Sequence, residues 1–113
     1  MAGSLADVID RNIVAITPEA SLKAAKQLAR NSGVSVLPVI SEGKLVGVLD
    51  VSSLRGDSGR VSSAMMHRIF IEESGSIEDA RKMLIKCGLT RLPVVDSKKS
   101  MRCLGTVSSS DLI

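Results

Sequence analysis

Aromatic residues are almost absent from this chain. Its 113 residues include one phenylalanine, Phe70, and no tryptophan or tyrosine. Proteins that bind single-stranded nucleic acid stack the bases on aromatic side chains, and this chain offers one ring for that purpose. The 15 basic against 12 acidic residues give a net charge of +3, which suits an anionic partner but is scattered along the sequence. Nucleic-acid binding therefore stays an alternative function that the composition disfavours.

Long apolar runs are also missing. No run reaches the ~18–20 residues that a membrane-spanning helix needs. The first residues lack the basic and apolar regions of a secretory signal. Hydrophobic residues nevertheless make up 44% of the chain, which fits a compact core and excludes disorder. We therefore expect a globular cytoplasmic protein that has no membrane partner.

Residues that carry catalytic chemistry are scarce. The two cysteines, Cys87 and Cys103, show neither Cys-x-x-Cys nor Cys/His metal spacing. We expect them to be small packed side chains, and the sequence leaves a disulfide open. The single histidine, His67, has no nucleophile motif beside it, and the chain contains no phosphate-binding glycine loop. The sequence thus predicts no enzyme activity, no metal site and no cofactor.

What the chain does contain is an internal repeat. The segment Gly33–Ile40, with Leu-Pro-Val at its centre, recurs as Gly88–Val95 after 55 positions. The same displacement relates the residues at helical spacing that precede each glycine and are predicted to form one buried face. They are Leu22, Ala25, Leu28, Ala29 and Ser32 in the first copy, and Ile77, Ala80, Met83, Leu84 and Cys87 in the second. A fixed period of this kind indicates two copies of one structural unit.

In each copy the sequence predicts a short helical segment (the lead-in, residues 5–9 and 61–65), then a strand, a helix, a hairpin and the start of a further helix. Thr17 with Pro18 behind it is the predicted N-cap of the first long helix, and Ser76 is that of the second. Gly33 and Gly88 are the predicted left-handed ends of these helices. The predicted strands are 13–16, 36–40 and 45–49 in the first copy and 69–71, 92–95 and 102–107 in the second.

This duplicated order resembles the CBS domain, named after cystathionine β-synthase, which occurs in tandem pairs. The motifs that carry the resemblance are 33–39, 88–96 and 105–112. It implies an α+β fold of two β-α-β-β-α repeats packed with pseudo-two-fold symmetry. The first repeat would cover 5–56 and the second 61–113, with the polar, glycine-containing stretch 57–60 as the linker.

The resemblance also implies a function. In many members the clefts between the repeats bind AMP, ADP, ATP or S-adenosylmethionine, and binding regulates a partner enzyme, channel or transporter. Such pairs commonly form homodimers and have no catalysis of their own. The expected ligand is thus an adenine nucleotide, while the regulated partner is not identified. A structural dimerisation module with empty clefts is the alternative within the same fold.

The resemblance assigns roles to individual residues. Asp111 would accept both hydroxyls of a ribose, which a carboxylate can do at once. Ser108 and Ser110 would contact ribose or phosphate, and Thr106 belongs to the same motif. Arg91 would clamp a phosphate, either in the cleft of Asp50 and Ser53 or at the mouth of the cleft of Asp111. The residues expected to contact adenine from the other repeat are Ile13, Ala15, Val34, Ser35 and Val36. A purely structural alternative is that Ser108 and Ser110 cap the last helix.

The first copy departs from this pattern. Asp50 stands where the second copy has Ser108, and Ser53 stands where it has Asp111. An acidic residue repels a phosphate, and a serine hydroxyl cannot hold a diol as a carboxylate does. The sequence therefore predicts one intact and one degraded nucleotide cleft.

Overall fold

The computed structural model describes residues 4–112 and mixes helices with strands, which confirms the predicted fold class. The helices are α1 (Leu5–Val8), α2 (Leu22–Ser32), α3 (Val61–Ala64) and α4 (Ile77–Cys87), with short 3-10 helices at Val51–Ser53 and Ser109–Leu112. The strands are β1 (Val36–Ser41), β2 (Lys44–Asp50), β3 (Ile71–Glu72), β4 (Arg91–Val95) and β5 (Cys103–Ser108).

The chain divides into two compact units, one continuous in sequence and the other composed of two separate segments. The central unit is the continuous stretch Val14–Arg68, and the composite unit joins the residues up to Ile13 with those from Ile69 onward. The lead-in helix α1 therefore belongs with β4 and β5, and the lead-in helix α3 belongs with β1 and β2. Each lead-in joins the hairpin of the other sequence copy.

In the composite unit the lead-in is held by backbone pairing. Asp10 N donates to Thr106 O at 2.8 Å, and Thr106 N donates to Asp10 O at 3.0 Å. The strand order is β3-β4-β5, with β3 parallel and β5 antiparallel to β4. A Cβ atom at Gly105 would collide with the Asp10 carbonyl oxygen and lie 2.6 Å from Ile9 Cγ2. Glycine at this position thus permits the close approach of the lead-in to β5.

The central unit repeats this arrangement. Its sheet is the antiparallel pair β1-β2. Val48 N donates to Met66 O at 2.8 Å and Met66 N donates to Val48 O at 2.7 Å. A Cβ at Gly47 would lie 2.9 Å from Met66 O. The buried apolar cluster of this unit consists of Leu22, Ala25, Ala29, Leu37, Val39, Leu49 and Val61.

The ends of the long helices follow local chemistry. Ser76 Oγ accepts from Asp79 N at 3.0 Å, which confirms the predicted cap of α4. The predicted cap Thr17 is wrong, because α2 begins at Leu22 and Ser21 Oγ accepts from Ala24 N at 3.0 Å. Ser21 lies 55 positions before Ser76, so the two copies use the same cap. Residues 17–20 form a turn instead, with Ala20 N donating to Thr17 O.

The predicted left-handed ends are confirmed, with φ of 70° at Gly33 and 66° at Gly88. In this conformation a side chain is strained, which explains glycine at both helix ends.

The strands predicted before the long helices are mostly irregular. Within 13–16 only Ile16 pairs, bridging to Val39 of β1 in parallel. In the second copy β3 covers two residues, so 69 and 70 lie outside the strand. A β-branched run forms a strand only where a neighbour offers matching backbone groups, and here that contact is one or two residues long.

The helices predicted after the hairpins are single 3-10 turns, Val51–Ser53 and Ser109–Leu112. The prediction at Ile113 lies outside the described residues.

Candidate functional site

Five of the predicted ligand contacts lie together at one edge of the composite unit. They are Arg91, Thr106, Ser108, Ser110 and Asp111. β4 and β5 are in register with Arg91 opposite Ser108. Alternate residues of a strand share a face, so Thr106 lies on the same face as Ser108. Arg91 Nη1 donates to Thr106 Oγ1 at 3.0 Å, so these two side chains are in contact.

The serines and the carboxylate form a short hydrogen-bonded chain. Ser108, which is buried, donates from Oγ to Asp111 Oδ2 at 2.8 Å and lies 3.0 Å from Ser110 Oγ. Asp111, at one end of this series of hydrogen bonds, is exposed to solvent. Ser109 N donates to Thr90 O at 2.9 Å, which ties the 3-10 turn to the beginning of β4. The result is a carboxylate held in one orientation and accessible to solvent.

The oriented carboxylate keeps acceptor capacity. An ionised carboxylate has about four lone-pair sites, and the Ser108 hydroxyl uses one of them. Hydrogen bonds to a charged acceptor are roughly twice as strong as neutral ones. Asp111 can therefore accept further hydrogen bonds from a pair of neighbouring hydroxyls.

Asp10 is a member of this edge that the sequence did not predict. Its Oδ2 lies 3.5 Å from Arg91 Nη1, and the two side chains are 47% and 25% exposed, respectively. The contact depends on the backbone bridge that places Asp10 beside Thr106. No local pattern in the sequence indicates that bridge, although Gly105 within a strand is a sign of a close backbone neighbour. The charge of Arg91 is thus partly balanced before any ligand arrives.

In the matching edge of the first copy, the aspartate and the serine have exchanged positions. The Asp50 carboxylate accepts from Ser52 N at 3.1 Å and from Ser52 Oγ at 2.6 Å, so it caps its own 3-10 turn. Ser53 Oγ donates to Asp50 O at 2.9 Å. At the position of Asp111 this edge presents the Ser53 hydroxyl, and its carboxylate, Asp50, is already engaged by Ser52.

The other predicted contacts lie elsewhere. Ile13 ends the first segment of the composite unit and is 37% exposed, whereas the remaining four belong to the central unit. Ala15, Val34 and Ser35 are half-buried, and Val36 is buried in β1. Ser35 O accepts from Val51 N at 2.9 Å, the counterpart of the Thr90–Ser109 bond. Four of the five residues predicted to contact adenine thus belong to a different unit from Asp111.

Two side chains of the second hairpin have shifted pKa values. Burial raises the pKa of the Cys103 thiol. A hydrogen bond from the Ser100 hydroxyl lowers the pKa of Asp96 in the second hairpin turn. Both cysteines are free thiols. Residues 4–112 contain no group of three or more metal-ligating side chains, and no helix among them is long and apolar enough to cross a membrane.

The comparison with known families is decisive. The family model of the CBS domain matches residues 5–57 and again 61–113. The chain belongs to the CBS domain family. Pairs of CBS domains generally act as regulatory modules. Asp111 and Arg91 lie in the second match, whereas Asp10 lies in the first.

The chain is similar to parts of longer curated proteins. An uncharacterised protein of Methanocaldococcus jannaschii is 25% identical over 100% of this chain, which matches 44% of that protein. The inosine-5'-monophosphate dehydrogenase of Thermoplasma acidophilum is 31% identical over 94% of this chain, which matches 22% of the enzyme. The CBS pair thus spans less than half the length of these relatives.

Solved structures share the fold. CBSX2 from Arabidopsis thaliana, a CBS-pair protein, has a TM-score of 0.81 at 22% identity and covers 99% of this chain and 92% of its own. CBSX2 in complex with AMP has a TM-score of 0.79 at 24% identity and covers 98% and 93%. At these identities the likeness establishes the CBS-pair fold.

Proposed function

We propose that this CBS pair is a regulatory module that binds an adenosine-containing ligand, either AMP, ADP, ATP or S-adenosylmethionine. The observation that carries the proposal is the Ser108 hydroxyl bound to Asp111 at 2.8 Å, which orients an exposed carboxylate. A ribose presents two neighbouring hydroxyl donors, and such a carboxylate can accept both. The complex of CBSX2 with AMP supports this choice, since that protein has the same fold.

Arg91 supports the phosphate end of the ligand. A guanidinium carries five N–H donors in a planar fork, and the contacts to Thr106 and Asp10 both involve Nη1. The other nitrogens are thus available to a phosphate in the bidentate geometry that arginine favours. Asp10 limits the charge that this end tolerates, because a polyphosphate would approach its carboxylate. We therefore expect AMP to bind more tightly than ATP.

The roles of Ile13, Ala15, Val34, Ser35 and Val36 in contacting adenine stay predictions from the family resemblance. The same holds for the homodimer and the cytoplasmic location. The proposal also includes a regulated partner, either another chain or a further part of the same one. The Thermoplasma enzyme motivates that part, since the match occupies 22% of its length.

The test is calorimetric titration with the four ligands on the wild type and on Asp111→Asn. Removing the charge should weaken binding about tenfold or more, because hydrogen bonds to charged groups are worth about 1.5–3 kcal/mol. Ser53→Ala is the matched control, since Ser53 holds the corresponding position in the first copy and should leave binding unchanged. Absence of binding to the wild type, or equal binding by Asp111→Asn, would contradict the proposal.

The assignment of the ribose is tested separately with 2'-deoxy-AMP. The wild type should bind AMP more tightly than 2'-deoxy-AMP, and Asp111→Asn should lose most of this preference. A preference that survives the substitution would place the ribose elsewhere.

A further inference from the structure

A basic groove runs along the exposed side of α2 in the central unit. It is lined by Lys23, Lys26, Gln27 and Arg30 of the helix and by Asp57 of the loop that precedes α3. Its volume is about 290 Å³. All five side chains are polar, so the groove is not an uncovered piece of the apolar core. We propose that this basic groove binds an extended acidic segment of a partner protein. This proposal is independent of nucleotide binding.

The cations of the basic groove are uncompensated. Within residues 4–112 the ion pairs involve Arg11, Arg81 and Arg91, and none involves a cation of the groove. Asp57 lines the same surface but lies beyond the 4.0 Å limit of an ion pair to them. Three positive charges thus face one negative charge across a concave surface, and this favours an anionic occupant.

The fold does not require this concentration of charge. The positions of α4 that correspond to Lys23, Lys26 and Arg30 after 55 residues are Glu78, Arg81 and Ile85. In α4 the first two form an ion pair of 3.0 Å. α4 also carries cations, including Lys82 at the position of Gln27, but it combines them with the acids Glu78 and Asp79. α2 has the same length and contains three cations and no acidic residue.

The arrangement in α2 also costs helix stability. Lys23 lies in the first turn, where the helix dipole disfavours a cation. Lys26 follows it at i+3 and Arg30 follows Lys26 at i+4, and like charges at these spacings repel each other. α4 balances its own cations with Glu78 and Asp79 in the first turn, whereas α2 has no acidic residue that could do so. Such unbalanced positive charge is what a binding surface for an anionic partner requires.

The spacing of the cations suits a peptide. From Lys23 to Arg30 the helix rises by about 10 Å. In an extended peptide, alternate side chains lie on one side about 6.7 Å apart, so two or three carboxylates match this length. Gln27 can donate to a peptide carbonyl and accept from a peptide N–H, and Asp57 can accept from an N–H as well.

A nucleic acid fits the basic groove less well. A phosphodiester backbone has no N–H group for Asp57 and would instead be repelled by it. Specific nucleic-acid binders typically neutralise several phosphates, roughly 6–10 in strong cases, and the groove has three cations. The chain also has one aromatic residue for stacking, Phe70, which lies in the composite unit. The peptide is therefore the occupant that the charges favour.

The test uses a fluorescein-labelled peptide of alternating glutamate and serine, followed by fluorescence anisotropy at low ionic strength. The groove variant combines Lys23→Gln with Arg30→Gln. The control variant combines Lys82→Gln with Lys86→Gln on the exposed side of α4 and removes the same charge. We expect the groove variant to bind roughly 3- to 30-fold more weakly and the control to change less than about twofold. A peptide of glutamine and serine should not bind.

A thymidine oligonucleotide and a short duplex serve as competing probes. Equal losses in the two variants would overturn the proposal, because they would indicate only an effect of net charge. It would also be overturned if the oligonucleotide or the duplex bound more tightly than the peptide and the groove variant abolished that binding. Thermal melting of both variants checks that each is folded, and Lys23→Glu gives a second variant that the helix dipole stabilises.

Discussion

Alanine at Gly105 tests the attachment of the lead-in to the composite unit. The added Cβ would collide with the backbone carbonyl of Asp10 and approach Ile9 Cγ2 to 2.6 Å. A flexible side chain could turn away, but a carbonyl oxygen moves only with its backbone. The lead-in must therefore shift away from β5 or the strand must bend.

The cost follows from what the shift disturbs. Forcing a methyl group into a packed site typically costs about 1–3 kcal/mol. Loss of the two bonds between Asp10 and Thr106, of 2.8 and 3.0 Å, adds roughly 0.5–1.5 kcal/mol each if they break. Leu5, fully buried one turn earlier, opposes complete detachment. We expect Gly105→Ala to lower the free energy of unfolding by about 2–4 kcal/mol.

The measurement is urea unfolding, together with hydrogen exchange of the Asp10 and Thr106 amides. Gly56→Ala is the matched control, because a Cβ at Gly56 meets no atom within 4 Å, and it should stay within about 0.5 kcal/mol of the wild type. Gly47→Ala should fall between the two, since a flexible Met65 side chain provides part of its contact. A Gly105→Ala protein as stable as Gly56→Ala would refute the reasoning.

Three further predictions concern single side chains. Ser76→Ala should cost about 1 kcal/mol in urea unfolding because it removes the cap of α4, whereas Thr17→Ala should change little since Thr17 caps no helix. Lys23→Glu should stabilise the protein by about 0.3–1 kcal/mol in the same assay, because an acid replaces a cation in the first turn of α2, and an unchanged or lower stability would contradict this. In Cys87→Ser, alkylation of Cys103 should reach half its maximal rate at a pH above that of an exposed cysteine, because burial raises the pKa of Cys103 and less thiolate is present at a given pH. A midpoint at or below that of a free thiol would contradict the burial.

Local interactions account for what could be predicted of the fold from the sequence. The buried faces of α2 and α4, their glycine ends and the two hairpins depend on residues a few positions apart. The hydrogen bond between Ser108 and Asp111 is also local, and the Arg91–Thr106 contact follows from the register of one hairpin. Patterns of spacing and repetition are sufficient for such features.

The exchange of the lead-ins could not be predicted in this way. The bridge between Asp10 and Thr106 joins the two ends of the chain through backbone groups, which every residue type shares. Asp10 thus entered the candidate site only through the structure. The error at Thr17 has another cause, because threonine followed by proline is common both at a helix start and in a turn. The repeat is the stronger indication of where the helix begins. Ser21 and Ser76 occupy equivalent positions, and comparison of the two copies identifies Ser21 as the cap.

The two copies therefore serve as controls for each other. They agree where the fold requires it, in the capping serines, the left-handed glycines and the glycines beneath the lead-ins. They differ at the exposed edge after the hairpin, where Ser108 and Asp111 replace Asp50 and Ser53 in the second copy, and along the outer side of the long helix. Because each copy adopts the same local fold with its own set of residues, the common fold does not dictate the differences. Binding of the proposed nucleotide at the second copy and of the proposed acidic segment at the first copy would account for them.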